Sequence, residues 1–216
     1  MLAASNLLMT VNRALSLIAT LALGLTAQAA FAPSAAEAKP VAPGRPVPSV
    51  TVLTADGDVL DLAAATAGRP TLLLFYRGGW CPYCTKHLAG LQEIEPELTK
   101  LGYQTLAISP EPAASLAGIA EKHGLTHRLL SDSTGAAAQA LGLAFRVDAE
   151  TQKKYAGYGI PLQPIPGEPD ARWLPVPAAI LIGPDGVIRF VFTHPDYKAR
   201  ISPAQILAEA RRAVAE

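Results

Sequence analysis

The sequence predicts an α/β fold, with a central mixed β-sheet flanked by helices on both faces. Three observations carry this. Apolar runs of strand length alternate with helix-spaced apolar stripes from residue 71 onward. Two hairpin signals, Asp56-Gly57-Asp58 and Gly183-Pro184-Asp185-Gly186, bracket that alternation. The only two cysteines, Cys81 and Cys84, stand where the first fully apolar run hands over to the first helical pattern.

Taken in order, Val50–Leu53 and Val59–Leu62 read as strands across the first turn. Thr71–Tyr76 (TLLLFY) is uninterrupted apolar chain, the pattern of a strand buried on both faces. Pro82 to Leu101 follows helical spacing, with Leu88, Leu91, Ile94, Leu98 and Leu101 on one stripe. Pro82 suits the first turn, where a missing N–H costs nothing, and Pro96 should kink or interrupt the helix. Gly102 supplies the stop. Thr105–Ser109 is a strand and Ala113–His123 a helix ended by Gly124; Arg128–Leu130 is a short strand and Thr134–Leu141 a helix ended by Gly142. Residues 144–177 break this rhythm with Tyr155, Tyr158, Trp173 and prolines 161, 164, 166, 169, 175 and 177. Irregular chain of that length is usually functional, and a lid over the cysteines is expected. Ala178–Ile182 and Val187–Phe192 form the second hairpin, and Pro203–Val214 closes the chain as an amphipathic helix.

The ends follow different rules. Arg13 is the only charged side chain before Glu37; Ala14–Leu25 is uncharged and apolar, and Ala27-Gln28-Ala29 offers small residues for a signal peptidase. Residues 1–29 therefore read as a signal peptide and the protein as exported, periplasmic or secreted. An uncleaved anchor is the alternative, although this apolar core falls short of the ~20 residues that span a bilayer. No later segment is long and apolar enough, so stable membrane association is not expected. Residues 30–48, rich in Ala and Pro, read as a linker without a core, and residues 49–216 as one domain. Lys and Arg number 18 against 18 Asp and Glu, without a basic cluster, which excludes nucleic acid as an expected partner.

The chemistry lies in Phe75-Tyr76-Arg77-Gly78-Gly79-Trp80-Cys81-Pro82-Tyr83-Cys84. Cys81 falls at the expected helix N-cap, where unsatisfied N–H groups and the helix dipole favour an anion. Thiols so placed drop from roughly 8.5 to about 3.5–7.5 in pKa. Cys84, three residues on, shares the same helix face. Cys81 is thus the expected exposed nucleophile and Cys84 its more buried partner. A structural staple is a poor alternative, since a bridge skipping two residues closes almost no chain. Arg77 could add positive field or stand solvated, and Gly78 and Gly79 would let the loop turn tightly and a substrate approach. Zinc lacks further ligands, and covalent haem lacks a histidine where Thr85 stands. Copper(I) on the two thiolates and His194 fits ligand softness only. His87, His123, His127 and His194 otherwise read as surface or helix-end polarity.

Trp80-Cys81-Pro82-Tyr83-Cys84 resembles the active-site motif of thioredoxins and glutaredoxins. Residues 50–210 as a whole are similar to the peroxiredoxin-like branch of the alkyl hydroperoxide reductase/thiol-specific antioxidant family. FYRGGWCPYC (75–84), LAISPEP (106–112), LLSD (129–132) with Ala140–Leu143, and LPVPAAILIGPDGVIRF (174–190) carry that similarity. The resemblance implies a thioredoxin-like fold, a cofactor-free antioxidant oxidoreductase, peroxide as substrate, a Cys81–Cys84 disulfide and a thioredoxin-like electron donor. Its alternative is a thiol–disulfide oxidoreductase acting on protein disulfides. The family pattern Pro-x-x-x-Thr/Ser-x-x-Cys would put Cys84 in the peroxidatic place, Cys81 at the threonine and Arg77 at the proline. The family's later arginine falls on or beside Pro177 and is missing, with Arg146 and Arg172 as candidate replacements. Val176-Pro177-Ala178 resembles instead the thioredoxin segment whose cis-proline packs on the disulfide. Trp80, Arg77, Pro82 and Pro177 are accordingly the expected supporting residues. Helix-end electrostatics makes Cys81 lead in disulfide exchange; for peroxide attack the leading cysteine stays open.

Overall fold

The computed structural model describes residues 30–215, so the expected signal peptide at 1–29 lies outside the described residues. Seven strands form the main sheet in the order β10-β9-β3-β4-β5-β1-β2. Its centre is parallel: β3 (Thr71–Phe75), β4 (Gln104–Ser109) and β5 (Arg128–Ser131) run together. On one flank β9 (Ala178–Ile182) and β10 (Ile188–Thr193) form the expected hairpin, antiparallel to β3. On the other, β1 (Thr51–Thr54) and β2 (Val59–Asp61) form the first hairpin, which adds to β5. A short helix, α1 (Leu62–Thr66), follows directly, because the Asp61 carboxylate accepts the Ala64 N–H and caps it.

Period-two alternation divides the core into two layers. From β3, Leu73 and Phe75 point to one face, packed with Leu62 of α1 and with Ala137, Ala138 and Leu141. Leu72 and Leu74 point to the other, where they meet Cys84, Leu88, Leu91, Leu98, Leu116, Ile206 and Ala210. The second layer is built by α2 (Pro82–Gln92), α3 (Glu95–Lys100), α4 (Ala113–His123) and α7 (Pro203–Ala215), with α5 (Ala136–Ala140) on the opposite side. The mixed sheet with helices on both faces is therefore the observed architecture. Pro96 interrupts the long helical pattern as expected: α2 stops at Gln92 and Pro96 enters the first turn of α3.

Three expectations are corrected. Residues 144–177 are not irregular. They form β6 (Ala144–Val147), α6 (Ala149–Gly157), β7 (Pro164–Ile165) and β8 (Glu168–Pro175), a three-stranded sheet in the order β6-β8-β7 plus one helix. The prolines are accommodated because 164 and 175 sit at strand ends, where the ladder needs fewer donors. Residues 30–48 are not a spacer without a core. The Phe31 ring packs tilted against Trp173 with centroids 5.6 Å apart, Val41 donates its N–H to the Leu141 carbonyl at 3.0 Å, and Val47 is buried. This strap makes one 3₁₀ turn at Ala35–Glu37, and its Phe31, Val41 and Val47 side chains pack against the domain core. His127, finally, is buried rather than surface polarity, with Nε2 3.0 Å from the Leu88 carbonyl and Nδ1 3.4 Å from Glu95.

Candidate active site

The parallel strands end on one side of the molecule, and the loops leaving β3 and β4 meet there. After β3 the chain runs Tyr76-Arg77-Gly78-Gly79-Trp80 to Cys81, which is the N-cap of α2 with extended backbone (φ −91°, ψ 110°). Pro82 occupies the first turn, as expected. Neither loop glycine leaves room for a substrate chain. A Cβ on Gly78, whose φ is +144°, would sit 2.4 Å from the Trp80 indole nitrogen, and one on Gly79 would sit 2.6 Å from Ile119. After β4, Glu111 turns back onto this loop: its carboxylate accepts the Gly79 N–H at 2.9 and 3.1 Å and the Ser109 hydroxyl at 3.2 Å. Burial raises the Glu111 pKa above the carboxylate norm.

The two sulfurs lie 2.9 Å apart as free thiols, with the Cys84 thiol donating to Cys81. That is hydrogen-bond contact, well beyond a ~2.05 Å covalent bond. Cys81 is not the exposed nucleophile expected from sequence: both cysteines are 1% exposed. The reason is the aromatic cover, since Trp80 and Tyr197 pack against the same cluster. The thiols nevertheless differ strongly. The hydrogen bond from the Cys84 thiol, aided by the Cys84 N–H, Arg77 and Arg200, outweighs burial and lowers Cys81 to about 6. Burial first, then the Cys81 sulfur, pushes Cys84 well up. At neutral pH the pair is thus a Cys81 thiolate beside a Cys84 thiol.

Two guanidiniums balance that anion. Arg77, 5% exposed and not solvated, is caged by the rings of Tyr197 at 4.0 Å, Trp80 at 5.1 Å and Tyr155 at 5.3 Å. It donates to the Tyr155 hydroxyl, and its Nε has no hydrogen-bond partner among the described residues. Arg200, in the loop between β10 and α7, places Nη2 3.5 Å from the Cys84 sulfur. Among the described residues, no carboxylate pairs with either arginine. Next to them His87 donates Nε2–H to the Ile201 carbonyl at 3.0 Å; burial and Arg200 hold it near 4, hence neutral.

Alkylation should report this directly. Only the thiolate reacts, so the rate with a small haloacetamide should be near maximal at pH 7 and fall as pH drops through about 6, where Cys81 protonates. A midpoint near the ordinary ~8.5 of a free thiol would contradict the arrangement.

The structure brings Arg77, Trp80, Cys81, Pro82 and Cys84 together. Pro177 reaches the same end of the sheet, because Phe75 pairs with Ala178, but its peptide bond is trans, unlike the implied cis-proline. Arg146 and Arg172 do not stand in for the missing arginine: Arg146 pairs with Glu168 on the surface, and Arg172 bonds the Pro169 and Ala171 carbonyls. The copper reading finds no ligand set, since no three His, Cys, Asp or Glu side chains converge among the described residues and His194 Nδ1 accepts the Asp196 N–H in its own turn. Sequence reasoning missed Arg200, Tyr197 and Glu111. Only the charge and ring of Tyr197-Lys198-Ala199-Arg200 in a short connection hinted at the first two. Tyr155, in the 144–177 segment, is carried by α6 onto Trp80, with ring centroids 5.5 Å apart.

A polarised dithiol at a helix start, at the end of the parallel strands of a thioredoxin-like fold, is the arrangement of one protein family's domain. The chain belongs to the AhpC/TSA family, whose model matches residues 43–191. A Haemophilus influenzae relative assigned to the peroxiredoxins under the name bcp is 33% identical over 104 residues, 48% of this chain and 66% of that protein. Chloroplastic peroxiredoxin Q of Triticum aestivum is 33% identical over 92 residues, 43% of this chain and 42% of that one. The chain thus spans less than two thirds of the length of these curated relatives. Among solved structures, Xanthomonas campestris peroxiredoxin Q superposes with a TM-score of 0.59 at 18% identity, covering 76% of this chain and 91% of its own. Peroxiredoxin 5 of Alvinella pompejana gives 0.63 at 20% identity, covering 80% and 99%. Both share the fold. No helix among the described residues is long and apolar enough to cross a membrane.

Proposed function

We propose that the protein is an exported thiol peroxidase in which Cys81 reduces hydrogen peroxide or a small organic hydroperoxide. Cys84 then closes a Cys81–Cys84 disulfide, and a thioredoxin-like dithiol donor reopens it. The observation that carries this reading is a buried thiolate in hydrogen-bond contact with a second thiol, inside a peroxiredoxin-family domain. At 1% exposure, Cys81 favours a small oxidant such as a peroxide over a bulky one. The residues fit the steps. The Cys81 thiolate attacks the O–O bond, and the Arg77 guanidinium offsets charge leaving with the departing oxygen. Cys84, already 2.9 Å away, condenses with the resulting sulfenic acid without a large movement. Apolar residues 14–25 and the small residues at 27–29 support export to an oxidising compartment, where a renewable disulfide needs a dedicated donor. Stopped-flow mixing of the reduced protein with hydrogen peroxide tests the reading. A fast reaction with loss of both free thiols per peroxide consumed is expected; oxidation at the rate of free cysteine would refute it.

A further inference from the structure

Arg200 is the one described cation whose guanidinium touches the second sulfur. Nη2 stands 3.5 Å from Cys84 Sγ, while Nη1 donates to the Ala199 carbonyl at 3.0 Å and fixes the group in its loop. The next residue, Ile201, holds that loop to α2 through His87 at 3.0 Å. Arg77, by contrast, is locked in its aromatic cage and is the stronger of the two guanidiniums on Cys81. The far side of Arg200 lines a cavity of about 450 Å³ with Lys86 and Lys198 and without a carboxylate. Nothing anionic there competes with the sulfur for the guanidinium.

We propose that Arg200 is a catalytic residue for the second half of the cycle: its guanidinium stabilises the Cys84 thiolate, both when Cys84 attacks oxidised Cys81 and when it leaves as the disulfide is reduced. The proposal rests on the peroxidase reading for the first of these steps only. In that step Cys84 releases its proton to solvent and its thiolate attacks the Cys81 sulfur. The S–S bond forms as the S–O bond breaks, and hydroxide departs to become water. In the reductive step a thiolate of the dithiol donor attacks Cys81, and the S–S electron pair returns to Cys84 as a thiolate facing Arg200. The donor's second thiolate then displaces Cys81, leaving the donor as a disulfide and both protein cysteines reduced. Rates of such exchanges rise as the leaving thiolate is stabilised, and an opposite charge at this range shifts a thiol by roughly 1–3 pKa units.

Arg200→Gln should therefore slow both steps by about tenfold or more, a larger loss than it causes in the oxidation of Cys81 by peroxide. The first step is read by trapping the accumulating sulfenic acid with dimedone, the second by thiolysis of the preformed disulfide with dithiothreitol. Arg200→Lys, which keeps the charge, should recover most of both rates. If Arg200→Gln fails to fold, Arg200→Met preserves the stem packing and replaces it. Wild-type rates in both steps would overturn the proposal, as would a loss confined to Cys81 oxidation. Thiolysis needs no peroxide, so it reads Arg200 even where the peroxidase reading itself has failed.

Discussion

Cys81→Ser is expected to lower peroxide consumption by at least about a thousandfold, because it removes the only thiol held as an anion at neutral pH. Cys84→Ser should behave differently. Its Cys81 still reacts once per chain and stops as a sulfenic acid, since no second thiol stands within reach. The two variants decide the question the family pattern opens, because that pattern places the peroxidatic sulfur at Cys84. Electrostatics places it at Cys81: the serine hydroxyl that replaces Cys81 neither ionises nor attacks, and the remaining Cys84 stays protonated by burial. The measurement is peroxide consumption with a dithiol present, paired with mass spectrometry of dimedone-treated protein. Retention of wild-type rate by Cys81→Ser, with dimedone found on Cys84, would reverse the assignment.

Trp173→Ala is expected to cost about 3–5 kcal/mol, the range for truncating a fully buried tryptophan. Trp173, 0% exposed on β8, joins three parts of the chain: it carries Phe31 of the strap, lies against Gly135 at the start of α5, and belongs to the core layer under β3 and β9. For a chain of this size the loss corresponds to a melting temperature lower by roughly 6–20 °C. The thiols belong to the opposite layer. Thiol reactivity well below the melt should therefore stay near wild type, and a melt shifted by less than ~2 °C would show that the strap and small sheet do not stabilise the domain. Circular dichroism and alkylation of the same sample give both readings.

These variants also mark what the sequence made legible. β3 was readable because TLLLF is buried on both faces, and the α2–α3 break because proline cannot donate inside a helix. The cysteine pair was readable because two thiols three apart on one helix face can do little else. Trp173 was not readable as a core residue. It lies among prolines, and its burial depends on a sheet whose pairing spans β6 to β8, which local patterning does not encode. The strap was not readable for the same reason: its Ala- and Pro-rich composition fits a linker, but the grooves it fills belong to distant residues. α1 escaped because Leu62 completes the strand alternation as well as it opens a helix. The burial of Cys81 and the role of Arg200 follow from the path of the loop after β10, and no spacing rule connects position 200 to position 84.

The balance of charge around the sulfurs has a last consequence, for energy rather than rate. Arg77 and Arg200 meet an anion only while the cysteines are reduced; once bridged, the sulfurs are neutral and the caged guanidinium keeps only ring faces and the Tyr155 hydroxyl for company. Whatever steadies the open form makes the bridge relatively strained for charge, and the couple is displaced towards oxidising reduction potentials. An ordinary cellular dithiol would then discharge it downhill, and the resting state of the molecule would be the armed one.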